Sequence, residues 1–158
     1  TQPTKFKTSG VDSVEFYLRT NPGEKMGPLT RIASGGELSR IMLALKTIFA
    51  KSQGVTSIIF DEVDTGVSGR VAQAIAEKIK LIASYSQVLC ITHLPQVAAE
   101  ADHQFFVSKT VKDGRTETDL SYLNDEGRVQ ELARMLAGST VTKLSIQHAK
   151  ELLKMAHS

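Results

Sequence analysis

The residues best suited to chemistry stand at the ends of two apolar runs. Ser57-Ile58-Ile59-Phe60 runs into Asp61-Glu62, and Gln87-Val88-Leu89-Cys90-Ile91-Thr92 runs into His93. Short unbroken apolar runs suit strands of a parallel sheet buried on both faces. An open α/β sheet binds its ligands at the carboxyl ends of its strands, so the carboxylates and the imidazole would share one edge. Neighbouring residues on a strand point to opposite sides, so Asp61 and Glu62 divide labour. Asp61 suits a metal ion held through water, and Glu62 suits orienting or deprotonating a water. His93 can donate a hydrogen bond to a phosphate from the same edge. Each also has a plainer reading: a solvated strand end for the carboxylates, polar surface for the histidine.

A third feature is Ser34-Gly35-Gly36-Glu37. Ser34 followed three residues later by Glu37 makes a capping box at the start of a helix. The first free N–H groups then belong to Gly35, Gly36 and Glu37, and such groups bind anions where glycines permit close approach. The plainer reading is a capped helix entered through a glycine turn. Arg40, near the start of that helix, can pair with phosphate or with Glu37. Asp64, in the turn-rich loop after Glu62, can reach a neighbouring subunit or cap the next helix.

The elements that must position these residues follow from periodicity. Val14, Phe16 and Leu18 alternate within 11–18 and predict an edge strand, stopped by Asn21-Pro22-Gly23. Leu38, Ile41, Met42, Leu45, Ile48 and Phe49 form one buried stripe on a helix over about 35–52. Val71, Ile75, Ile79 and Ile82 do the same over about 69–84, and Pro95 opens a short helix to Ala101. Residues 103–109 and 115–123 read as a hairpin turning through Lys112-Asp113-Gly114. Asp125 caps a helix ending at Gly138, its Arg128 and Arg134 lying with Glu126 and Glu131 on a solvated face. A last helix covers roughly 142–155. The fold class is α/β, with a βαβ unit at its centre.

Composition excludes several classes. At 158 residues, 41% apolar and 23% charged, the chain is an ordinary single globular domain, with residues 1–10 a loose end. A net charge of +2 is too weak for a dedicated DNA-binding surface. No apolar run reaches the length of a membrane span, and no signal peptide is visible. The one cysteine, Cys90, fits a reducing cytoplasm and reads as an inert core residue. The other histidines, His103, His148 and His157, lack partners at zinc-ligand spacing. No G-x-x-x-x-G-K-[ST] occurs. A phosphoryl-transfer site needs a phosphate-cradling loop as well as a carboxylate and a base. The loop therefore lies on another segment, or the nucleotide reading is wrong.

The three stretches together resemble a known family. IASGGELSRIMLALK is similar to the signature motif and following helix of ABC-type ATPase heads, SIIFDEVDTGVSG to their Walker B strand, catalytic glutamate and D-loop, and ITHLPQVAA to their switch-histidine strand. The variants ASGGELSR, DEVDTGVSG and THLPQVAA resemble the RecN family of SMC-like bacterial DNA-repair proteins, over residues 11 to 155. Ala33 stands where transporter ATPases usually have Leu, while Ser34 and both glycines are kept.

The resemblance implies a three-layer, P-loop-type ABC head fragment, its C-terminal lobe, with mainly parallel core strands and a hairpin plus helices at the end. The Walker A lobe and a long coiled coil would lie elsewhere in the protein. It implies ATP and Mg2+ as cofactors. Ser34, Gly35, Gly36 and Glu37 would serve the γ-phosphate of ATP held by a partner head. Asp61 would support magnesium, Glu62 would polarise the attacking water, His93 would contact the γ-phosphate, and Asp64 would lie at the head–head interface. Implied partners are the N-terminal Walker A lobe, a second head in a homodimer and DNA through the full-length protein. The implied setting is cytoplasmic and nucleoid-associated, in double-strand-break repair and recombination. The fragment alone would be inactive. Competing readings are a head lobe of another SMC-like or transporter ATPase, a non-catalytic dimerisation or sensing module, and a DNA-binding module. Glu62 argues against the sensor and the weak charge against the DNA-binding module.

Overall fold

The computed structural model describes the chain apart from residues 1–7, 9, 13, 20, 21, 24, 30–34, 113, 139 and 158, and apart from the side chains of 50–53. The chain divides into two compact units, 1–35 and 36–158. In the first, β1 (Tyr17–Leu18) pairs antiparallel with β2 (Gly27–Pro28). The backbone N–H of Leu29 adds a hydrogen bond to Phe16 O at 2.8 Å. Among the described residues of the strand expected over 11–18, the end at Tyr17–Leu18 is the paired part. Val14 and Phe16 are exposed, so the alternation there has no core to face.

The second unit follows the expected order closely. Helix α1 (Gly35–Gln53) leads to β3 (Ser57–Phe60), α2 (Gly69–Ala83) and β4 (Gln87–Cys90). Strands β3 and β4 are parallel, in register from Ser57↔Gln87 to Phe60↔Cys90. The N–H of Ile91 donating to Phe60 O at 2.9 Å extends the ladder one step further. The short α3 (Pro95–Ala99) precedes an antiparallel hairpin of β5 (Gln104–Lys112) and β6 (Arg115–Leu123). Gly114, at φ 74°, supplies the left-handed turn conformation there. Helices α4 (Asp125–Ala137) and α5 (Lys143–Ala156) complete the chain.

Two apolar clusters hold this unit together. One joins Ile58 and Phe60 of β3 to Ile75, Ala76, Ile79 and Ile82 of α2, with Leu43 of α1 and Val63 and Val97 beside them. The other packs Ala98 and Ala99 of α3 against Leu132 and Ala133 of α4 and Ala149 and Ala156 of α5. The small residues let these three helices approach closely. Caps fix the last two helices. Asn124, one residue before the expected Asp125, is the N-cap of α4, its Oδ1 accepting from Gly127 N at 2.8 Å. Thr142 and Ser145 form a reciprocal capping box at α5. The face expected to be solvated on α4 is only half so. Arg134 makes an exposed ion pair with Glu131, whereas Arg128 donates to the carbonyl of Ala101 at 2.5 Å, satisfying the end of α3.

Two burial expectations are corrected. β3 and β4 are covered on one face only: Ile58 and Phe60 are buried, but Ile59 is 69% exposed, and Leu89 and Ile91 are open beside it. The stripe expected to be buried on α1 is also open, with Leu38, Met42, Leu45, Ile48 and Phe49 all exposed and Leu43 buried instead. Val71 of α2 is exposed in the same way. The cause is the size of the sheet. Two parallel strands and one covering side can bury one apolar face, and the described residues supply no second layer for the other.

Candidate functional site

The loop between β3 and α2 carries the acidic residues. Asp61 leaves the strand end, and Glu62 adopts φ 58°, the left-handed region that a residue with a Cβ enters at a cost. A turn closed by Thr65 N donating to Glu62 O at 3.2 Å holds it there. Strand alternation therefore stops at Phe60, and the backbone turn sets the relation of Asp61 to Glu62. Both carboxylates are exposed, as open ends of the sheet edge.

Asp64 is turned the other way. It is 2% exposed, and its Oδ2 accepts from Thr92 Oγ1 at 2.5 Å and from the backbone N–H of His93 at 3.0 Å. The same oxygen lies 3.3 Å from Nδ1 of His93. The hydroxyl of Thr92 in turn accepts from Leu94 N at 3.0 Å. The loop after β3 is thus stitched to the segment after β4, and His93 and the Asp61–Glu62 pair are brought to one edge. The acidic surroundings are felt at Cys90. Burial, with repulsion from Asp64 and Asp61, pushes its thiol from 9.0 up to about 12. Cys90 is a protonated, unreactive thiol.

Helix α1 starts against this loop. Ser39 Oγ donates to the carbonyl of Asp61 at 3.1 Å, and Arg40 Nη1 donates to the carbonyl of Thr65 at 2.9 Å. Arg40 thus braces the loop. Gly36 is buried in the angle. A Cβ there would stand 3.1 Å from both Arg40 Nη1 and the Thr65 carbonyl oxygen. Gly35, Gly36 and Glu37 occupy the first turn of the 19-residue α1, where N–H groups lack helical acceptors. Ser34 and its capping box lie outside the described residues.

The bracing residues Ser39, Thr65 and Thr92 carry no signal of their own in the sequence. Only their places, three residues after the glycine pair, directly after Asp64 and directly before His93, mark them. Among the described residues no three His, Cys, Asp or Glu side chains gather as a metal cage. A hard cation is still compatible with Asp61. Its carboxylate is exposed and accepts no hydrogen bond among the described residues, and magnesium characteristically takes one or two carboxylates plus phosphate oxygens and water. A cleft of about 510 Å³ beside Lys80, Glu100 and Ala156 lies apart from these residues. The candidate site is an open edge rather than a closed pocket.

An acidic strand end, a histidine just past the neighbouring parallel strand and a glycine-led helix start braced on the same loop stand together at one edge of an α/β chain. No family model matches the chain, but curated relatives do. It is 65% identical over 153 residues, 97% of this chain, to a protein named DNA repair protein RecN from Halalkalibacterium halodurans. It is 59% identical over 155 residues to the protein of that name from Bacillus subtilis, and 48% identical over 144 residues to that from Vibrio cholerae. The chain belongs to the RecN family. It spans about a quarter of the length of these relatives, 27%, 27% and 26% respectively. A solved structure described under ATP-driven dimerization and DNA stimulated activation of SMC ATPases is a looser likeness, with a TM-score of 0.49 and 22% identity over 75% of this chain and 70% of that one.

Proposed function

We propose that this chain is the C-terminal lobe of a RecN-like ATPase head, working in DNA double-strand-break repair and recombination in the cytoplasm. The observation that carries the reading is the stitched edge: Asp61 and Glu62 beside the His93 segment, joined by Asp64 and Thr92. Glu62 is the candidate base for the attacking water. His93 and the first turn of α1, Gly35 to Glu37 with Ser34 before it, are the groups that meet the terminal phosphate, the helix start acting on a nucleotide held by a second head. Asp61 would hold Mg2+, which would neutralise charge on the phosphates.

The chain lacks a phosphate-cradling loop, so the nucleotide's own pocket is assigned to the N-terminal Walker A lobe of the same protein. The uncovered face of β3 and β4 and the open stripe of α1 fit a three-layer head whose remaining strands and helices come from that lobe. A site divided between heads makes ATP the bridge and hydrolysis the release. DNA would be engaged by the full-length protein. No described helix is long and apolar enough to cross a membrane, and nothing favours the transporter reading.

The test is Glu62→Gln in the full-length protein. Turnover falls by at least 100-fold, ATP binding is kept, and paired heads accumulate in sedimentation with ATP. Turnover near wild type would refute the base assignment.

A further inference from the structure

Asp64 has a second consequence, one that deepens the ATPase reading and rests on it for its kinetic part. A buried carboxylate needs donors, and three polar atoms lie within 3.3 Å of Asp64 Oδ2: Thr92 Oγ1 and the N–H of His93 as hydrogen bonds, and Nδ1 of the same histidine at ion-pair distance. The first two would suffice to stitch the loops. The third reaches the ring itself. A carboxylate oxygen 3.3 Å from Nδ1 repels a bare lone pair there and favours a proton on that nitrogen. That choice leaves Nε2 bare in the neutral ring.

We propose that Asp64 is a positioning residue that holds His93 as its Nδ1–H tautomer and presents Nε2 at the edge shared with Asp61 and Glu62. The ring is free to serve there: its side chain is 65% exposed, while Asp64 beneath it is almost wholly enclosed. Among the described residues Nε2 has no protein partner. In the neutral ring Nε2 is an acceptor. It can receive a hydrogen bond from a water beside Glu62, and it donates to a phosphate oxygen only when the ring carries a second proton. The carboxylate–histidine pairing has the same physical logic as the partners that fix histidine tautomers behind metal ions. Here it also links the loop after β3 to the segment after β4. A shift of Thr65 or Val63 that moved Asp64 would release the imidazole from its orientation.

The readout is the ring itself. The full-length protein is labelled with ring-15N histidine, and His93→Gln assigns the signals. At a pH where the ring is neutral, wild type shows Nδ1 as the protonated nitrogen and Nε2 as bare. Asp64→Asn keeps an oxygen for Thr92 and for the His93 N–H but removes the charge beside Nδ1, and a neutral oxygen favours a proton there less than a carboxylate does. The tautomer population then shifts toward Nε2–H. A wild-type ring protonated on Nε2 overturns the proposal without any variant, so a misfolded Asp64→Asn leaves it decidable. An unchanged tautomer in a folded Asp64→Asn overturns it as well.

Kinetics form the second arm. Asp64→Asn lowers kcat about 10- to 100-fold, the range for loss of an orienting partner, with ATP affinity kept. If His93→Gln abolishes turnover and Asp64→Asn leaves it intact, the positioning role fails while the ATPase reading stands. If wild type does not hydrolyse ATP at all, the ATPase reading fails, and the tautomer measurement alone decides whether Asp64 orients His93.

Discussion

Gly36→Ala is expected to destabilise the chain, although alanine is the better helix residue. The helical gain is about 0.5–1 kcal/mol in a helix interior and less in the first turn. Against it stands geometry: the new Cβ would lie 3.1 Å from the Thr65 carbonyl oxygen, 3.1 Å from Arg40 Nη1 and 3.2 Å from Thr65 Cβ. Carbon–oxygen contacts of this kind settle at roughly 3.3–3.6 Å. The guanidinium ends a flexible side chain and can swing aside, but the carbonyl is backbone and cannot. Helix α1 must therefore back away by a few tenths of an ångström, stretching the Arg40–Thr65 and Ser39–Asp61 hydrogen bonds. Overpacking costs about 1–3 kcal/mol, and a charge-assisted hydrogen bond at a partly exposed site adds about 1.

The net loss is about 1–2 kcal/mol. In urea, with a slope near 2 kcal/mol per molar for a domain this size, the midpoint falls by roughly 0.5–1 M. Arg40→Ala alone costs about 1 kcal/mol, and the double variant costs less than the sum, because both changes spoil the same bond. A Gly36→Ala chain as stable as wild type, or more so, would refute the packing of α1 on the loop after β3. Full additivity of the pair would refute the shared bond.

Two further predictions follow from the same edge. Glu62→Gly relieves the left-handed strain at φ 58° and raises stability by roughly 0.5–1 kcal/mol, while removing the candidate base. A variant that is more stable and inactive is the expected outcome, read by urea midpoint and ATP turnover, and a loss of stability would contradict the strain. Cys90, its thiol raised from 9.0 to about 12, resists iodoacetamide at pH 8 in the folded chain and reacts in urea, as mass spectrometry can follow. A raised thiol stabilises the fold fully below pH 9.0, and this stabilisation is lost as pH climbs toward 12. Unfolding midpoints therefore fall over that window, and the fall is shallower in Cys90→Ala.

The helices and strands of residues 36–158 were legible in the sequence because each has a period and punctuation of its own. Pro95 opens α3, Gly114 turns the hairpin and Gly138 ends α4. Cap identity was less legible: Asn124 and Asp125 are both good caps, and only the path of the chain chooses between them. The chemical types at the strand ends were legible too, because carboxylates that interrupt an apolar run stand out against it.

What periodicity cannot encode is whether a partner layer exists. The Leu38–Phe49 stripe and Ile59 look like core in one dimension and are open in the structure, because burial depends on elements that these residues do not contain. The direction of Asp64 was likewise outside the sequence's reach. Its carboxylate faces Thr92 and His93, residues 28 and 29 positions away, across a parallel pairing that local pattern cannot register. The sequence by itself determined which groups stand at the edge of the sheet. Only the tertiary structure decided that Asp64 lies under the imidazole and Gly36 under the loop, because both depend on how β3, β4 and α1 come together in space.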